Sequence, residues 1–98
     1  MYKQREQSIR SECLTSFSDN WPTPTGDEIA EVLRLAGFSG SMAAKAVGLK
    51  KNGSRTVRKW IGEEAEIPYA VWALLCHFAG LGQIWIDSKS QSSAVGDE

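Results

Sequence analysis

Apolar residues through the middle of this chain recur at steps of three and four, the spacing that lines one side of a helix. Thr25 and Glu28 of T-G-D-E have capping-box spacing and stand ahead of Ile29, Leu33 and Ala36. Asp27 and Glu28 suit the positive end of the helix dipole, and Gly37 offers a stop. The pattern predicts a helix over 26–36. Ser39 is the expected N-cap of a second helix, over 40–47, with Met42, Ala43, Ala46 and Val47 at helical spacing until Gly48 interrupts. Ser54 is the expected cap of a third helix, whose inward side is Val57, Trp60 and Ile61 and which ends near Gly62. Pro68 suits the first position of a fourth, with Val71, Leu74, Leu75, Phe78 and Ala79 as its apolar face and Gly80 as its terminator. Trp72 falls to the side of that stripe, as rim packing or as a contact with a second chain.

The ends read less sharply. Ile9, Cys13 and Phe17 repeat every four residues, which predicts a short helix, and N-W-P-T-P-T-G at 20–26 then breaks it with two prolines and a glycine. The apolar L-G-Q-I-W-I at 81–86 reads as a strand, a turn of helix or an arm lying on the body. Beyond it a Ser-rich polar stretch lacks the apolar content to order itself. The expected organisation is an N-terminal segment over 1–21, a helical domain over 22–86 and a flexible tail over 87–98. The fold class is all-α, a compact unit of four to five helices.

Composition agrees with one small domain. Ninety-eight residues with 42% hydrophobic and 23% charged content are ordinary for a globular protein, and four tryptophans add apolar area to a limited core. Cys13 and Cys76 have no metal-site or redox spacing and read as free thiols of a reducing compartment. No apolar run approaches the roughly 20 residues of a membrane span, so a cytoplasmic protein without membrane partners is expected.

Charge changes the picture most. The formal net charge is -1, yet Lys45, Lys50, Lys51, Arg55, Arg58 and Lys59 fall within fifteen residues that contain no Asp or Glu. Such segregation builds a positive potential on an acidic body and steers polyanions to one face.

The residues around that run carry a resemblance. Ala44, then Gly48 four positions later, then a turn into T-V-R-K-W at 56–60, resembles the helix-turn-helix of lambda-repressor-like regulators, the Cro/C1-type or XRE family, over about 25–80. The stretch I-P-Y-A-V-W-A-L-L at 67–75 is similar to that of plasmid-transfer repressors of the KorC type and of anti-CRISPR-associated regulators. Thr56 and Val57 follow Gly48 by eight and nine positions, three more than is usual in the family. Gly40 stands where the family often has a phosphate-binding glutamine, whose contact Ser41 or the helix amides would replace.

The resemblance implies a DNA-binding transcriptional regulator, a homodimeric repressor on an inverted-repeat operator. Arg55, Thr56, Arg58 and Lys59 are the expected base contacts, since an arginine can fork onto guanine O6 and N7. Ser41, Lys45, Lys50, Lys51, Asn52 and Ser54 are the expected phosphate contacts. Two-fold pairing is expected because one short helix reads too few base pairs, and Trp72, Leu81, Ile84, Trp85 and Ile86 are the candidate dimer surface.

An antitoxin or accessory factor that binds a protein partner, and DNA only as a complex, is the alternative, followed by RNA binding, for which the basic run lacks interleaved aromatics. Nothing in the sequence points to a cofactor, a metal or catalysis. His77 is the single histidine and has no nearby carboxylate in sequence, and Cys76 sits among apolar residues.

Overall fold

A computed structural model describes residues 9–86. Helices α1 (Gly26–Ala36), α2 (Gly40–Ala46), α3 (Gly53–Ile61) and α4 (Tyr69–Phe78) follow a single 3-10 turn at Ser11–Cys13, and no strand occurs among the described residues. The expectations for 1–8 and for the tail at 87–98 lie outside them. No helix among the described residues is long and apolar enough to cross a membrane.

Local chemistry accounts for where two of these helices start. Thr25 Oγ1 accepts from the Glu28 amide at 3.2 Å while Glu28 Oε1 accepts from the Thr25 amide at 2.7 Å, so the capping box forms as its spacing predicts. Ser39 Oγ accepts from the Met42 amide at the start of α2. Ser54 does not cap α3: the helix begins one residue earlier, on an Asn52 in the left-handed region at φ 64° that makes no side-chain cap. The preceding turn must reverse tightly enough to set Gly53 against α2, and that leaves Ser54 inside the first turn.

All four helices end alike. In each, one residue of positive φ follows the helix, its amide bonds back to the third carbonyl before it, and the next amide reaches the carbonyl five positions before itself. The positive-φ residue is Gly37, Gly48 and Gly80 after α1, α2 and α4, but Glu63, at φ 61°, after α3. The following residues Phe38, Leu49 and Leu81 tuck against the core, whereas Glu64 after α3 stays exposed.

Ile29, Val32 and Leu33 of α1, Ala43 and Ala44 of α2, Val57 and Trp60 of α3 and Trp72, Leu75 and Cys76 of α4 make the centre of the core. Met42, expected on the inner side of α2, is 51% exposed. α4 is turned from its expected orientation: Trp72, Ala73, Leu75 and Cys76 are buried, while Phe78 is 44% exposed. An almost uniformly apolar helix has no polar face to set its rotation. Here the indole N–H of Trp72 needs an acceptor when buried, and it finds the Cys13 carbonyl at 2.8 Å.

That bond draws in the N-terminal stretch. Among the described residues of this stretch only Ser11–Cys13 is helical, so the helix expected from Ile9, Cys13 and Phe17 does not form; Ile9 and Cys13 are buried and Phe17 is exposed. Trp21 Nε1 donates to the same Cys13 carbonyl, and the Tyr69 hydroxyl donates to the Thr15 carbonyl at 2.8 Å. Arg10 grips the buried Glu28 through its backbone amide, Nε and Nη2, all at 2.8–2.9 Å. Residues 9–21 thus share the core of the helices that follow.

Two residues leave the expected dimer surface. Trp72 is 0% exposed and offers nothing to a second chain, because its ring fills the core beneath Cys13, and Ile84 at 6% is held in the same core by the turns of 81–86. Leu81 is half-buried, while Trp85 and Ile86 are exposed.

Candidate nucleic-acid interface

α2 and α3 pack on one another more extensively than any other helix pair. A Cβ at Gly53 would lie 2.7 Å from the Ala44 Cβ and 2.9 Å from the Leu49 Cβ, closer than side chains approach. The two helices therefore touch where each carries a small residue. Gly48, at φ 82°, turns the chain out of α2, and Leu49 returns to the core before Lys50, Lys51 and Asn52 cross the surface.

With Val57 and Trp60 buried at 0% and 5%, the rest of α3 faces outward. Arg55, Arg58 and Lys59 are exposed along it, as are Lys50, Lys51 and Asn52 in the turn and Ser41 and Lys45 on α2. Thr56 and Ser54 are half-buried and already engaged: Thr56 Oγ1 donates to the Asn52 carbonyl, and Ser54 Oγ accepts from Arg58 Nη1, both at 3.3 Å. Lys45, Lys50, Lys51, Arg55 and Lys59 make no side-chain hydrogen bond or ion pair among the described residues. Five uncompensated cations and one tethered arginine thus share the α2–turn–α3 surface.

The start of α3 adds to that field. Asn52 provides no side-chain cap, and the amides of Ser54 and Arg55 have no acceptor among the described residues, so the positive end of the helix stays open to solvent. The far end is acidic. Glu63 Oε2 accepts from the Gly26 amide at 2.7 Å and so caps α1, while Glu64 and Glu66 are exposed.

Both cysteines are free and buried. Burial pushes the Cys13 thiol up to about 11, with Glu28 adding to the rise, and pushes Cys76 up to about 12, so both are protonated at neutral pH. His77 is exposed beside Trp85, with ring centroids 6.0 Å apart, and no metal-binding cluster occurs among the described residues.

Three contributors escape a reading of the sequence. Gly53 looks like a loop glycine but is the contact point of two helices. Its signal is the pairing with Ala44, visible only once the length of the turn is known. The uncapped Asn52 carries no signal at all. Glu63 reads as one of three surface acids, because nothing local shows that α1 begins beside the end of α3.

The fold and its surface define a small all-helical protein with one cationic face built on a pair of tightly packed helices. No protein-family model matches the chain, and no solved structure matches it at a significant level. Two curated proteins of Escherichia coli do, each a transcriptional repressor protein KorC. One is 55% identical over 80 residues, covering 82% of this chain and 93% of the relative; the other is 55% identical over 78 residues, covering 80% and 91%. The chain belongs to the KorC family of transcriptional repressors, and its relatives have a regulatory, non-enzymatic role.

Proposed function

We propose that this protein represses transcription as a homodimer bound to an inverted-repeat operator that overlaps a promoter. α2 and α3 then act as a helix-turn-helix of the lambda-repressor-like kind with a lengthened turn. α3 enters the major groove, about 12 Å wide in B-DNA. Arg55, Thr56, Arg58 and Lys59 meet base edges, and Ser41, Lys45, Lys50, Lys51, Asn52 and Ser54 hold phosphates.

The observation that carries this reading is the outward face of α3 and its turn: exposed cations without carboxylate partners, on a helix whose other side is locked into the core by Val57 and Trp60. Such a face is costly to leave unpaired and suits a polyanion of fixed geometry. Kinship with repressors agrees with it.

Selection of bound duplexes from a random pool at about 150 mM salt tests the proposal. The expected result is enrichment of an inverted repeat whose half-site centres lie about one helical turn apart. Binding without enrichment that vanishes as salt rises would reduce the face to a non-specific polyanion surface.

A further inference from the structure

From Ile67 to Ile86 the chain contains no Asp, Glu, Lys or Arg, although 23% of the whole chain is charged. Part of that stretch is core, but its outer side is not. Tyr69, Ala70, Ala73, Leu74 and Trp85 line an open, almost wholly apolar groove of about 290 Å³ along α4. Trp85, 41% exposed, stands at its edge, and His77 links it through ring contacts to Phe78, itself 44% exposed. The patch therefore continues down the helix beyond the groove.

Among the described residues, the N-terminal stretch does not cover it: Cys13 and Thr15 bind α4 through Trp72 and Tyr69, and neither lines the groove. Its volume falls just below the roughly 300–1,000 Å³ of small-molecule sites, and it lacks the few polar groups that orient a ligand. A single aromatic side chain suits it better.

We infer that this groove is the homodimer surface, and that the Trp85 of each copy lies in the Tyr69–Ala70–Ala73–Leu74 groove of the other. Charge selects a second copy as the occupant. A two-fold interface brings equivalent groups of both copies together at the axis, where a charge meets its like, so an uncharged groove suits self-association. A different partner protein gains recognition and encounter rate from complementary charges, and the groove lining provides none. Shape agrees, because a small-residue floor beside a projecting indole is both knob and hole on one patch. None of the cationic residues lines the groove, so pairing through it leaves the α3 face free. The inference rests on the homodimer in the proposed function and names its surface.

Sedimentation equilibrium of the full chain tests it, with Ala70→Glu and Trp85→Ala beside the wild type. Ala70 is exposed in the first turn of α4, where an acidic residue suits the helix dipole, so Ala70→Glu keeps the fold and sets like charges against each other. The wild type is expected at twice 10.8 kDa, and both variants at 10.8 kDa, with at least a tenfold rise in dimer dissociation constant and, for Ala70→Glu, an unchanged melting midpoint. A monomeric wild type at about 100 μM, a concentration well above that of ordinary specific association, overturns the inference, as does a dimer that both variants leave intact. A dimer split by Ala70→Glu whose wild type enriches no DNA sequence supports the surface and removes the operator reading instead.

Discussion

Ala44 and Gly53 sit side by side where α2 and α3 meet, and Gly53 has no room for a side chain: a Cβ on it would come within 2.7 Å of the one on Ala44. The angle at which α3 presents its arginines is thus set by two small residues nine positions apart in sequence.

Gly53→Ala should cost about 1–3 kcal/mol, the usual range for overpacking. For a domain of this size that lowers the melting midpoint by several degrees. The double variant Ala44→Gly/Gly53→Ala should recover part of the loss, because it returns the space. Thermal melts of the four members of this cycle measure the coupling. Strictly additive losses would mean that the two residues are not in contact.

Arg55→Ala and Arg58→Ala should each remove sequence discrimination, worth about 1–3 kcal/mol for a bidentate base contact, while moving the melting midpoint very little. Lys50→Gln and Lys51→Gln should instead weaken all duplexes alike. Each should lower the slope of log affinity against log salt by about 0.9. Fluorescence anisotropy on specific and scrambled duplexes across a salt series separates the two behaviours.

Glu28 predicts the acid limit. Burial pushes its carboxyl up, but the hydrogen bonds from the Arg10 guanidinium and from the Arg10 and Thr25 amides outweigh this and hold it at about 2, below the ordinary 4.5. The unfolded chain therefore takes up the proton first. Stability from this group is whole above about pH 5 and drains away as pH falls toward 2. Midpoints measured from pH 6 to 2 should fall for the wild type, and fall less over the same window for Glu28→Gln, which starts lower. Parallel curves would assign the acid sensitivity to other carboxylates.

Glu63 holds a backbone conformation that favours glycine while its carboxylate caps α1. Glu63→Ala loses the cap and keeps the unfavourable φ, so it should cost about 1–2 kcal/mol. Glu63→Gly loses the same cap but relieves the backbone, and should be more stable than the alanine variant by about 1 kcal/mol. The order of the two denaturation midpoints decides the matter.

Much of the helical frame was legible. Capping residues are local signals, so Thr25, Glu28 and Ser39 located two helix starts, and Gly37, Gly48 and Gly80 marked three ends. Trp60 and Val57 lie inward as their spacing predicts. The orientation of α4 was not legible, because periodicity needs a polar side to contrast with and the helix has little of one. Nor was the fate of Ile9 to Trp21: their partners are Glu28, Tyr69 and Trp72, and such pairings leave no periodic trace. The basic face could be read from charge alone, but the compact joint that aims it could not.

The bond from Trp72 to the Cys13 carbonyl spans 59 positions, and the one from Tyr69 to Thr15 spans 54. A ribosome makes this chain from the other end. Cys13 and Thr15 emerge before the helix that carries their donors has been synthesised. The α2–α3 pair, formed from near neighbours, can assemble before that. The surface proposed for DNA is thus built from contacts local in sequence, while the fold that steadies it depends on contacts across more than 50 positions.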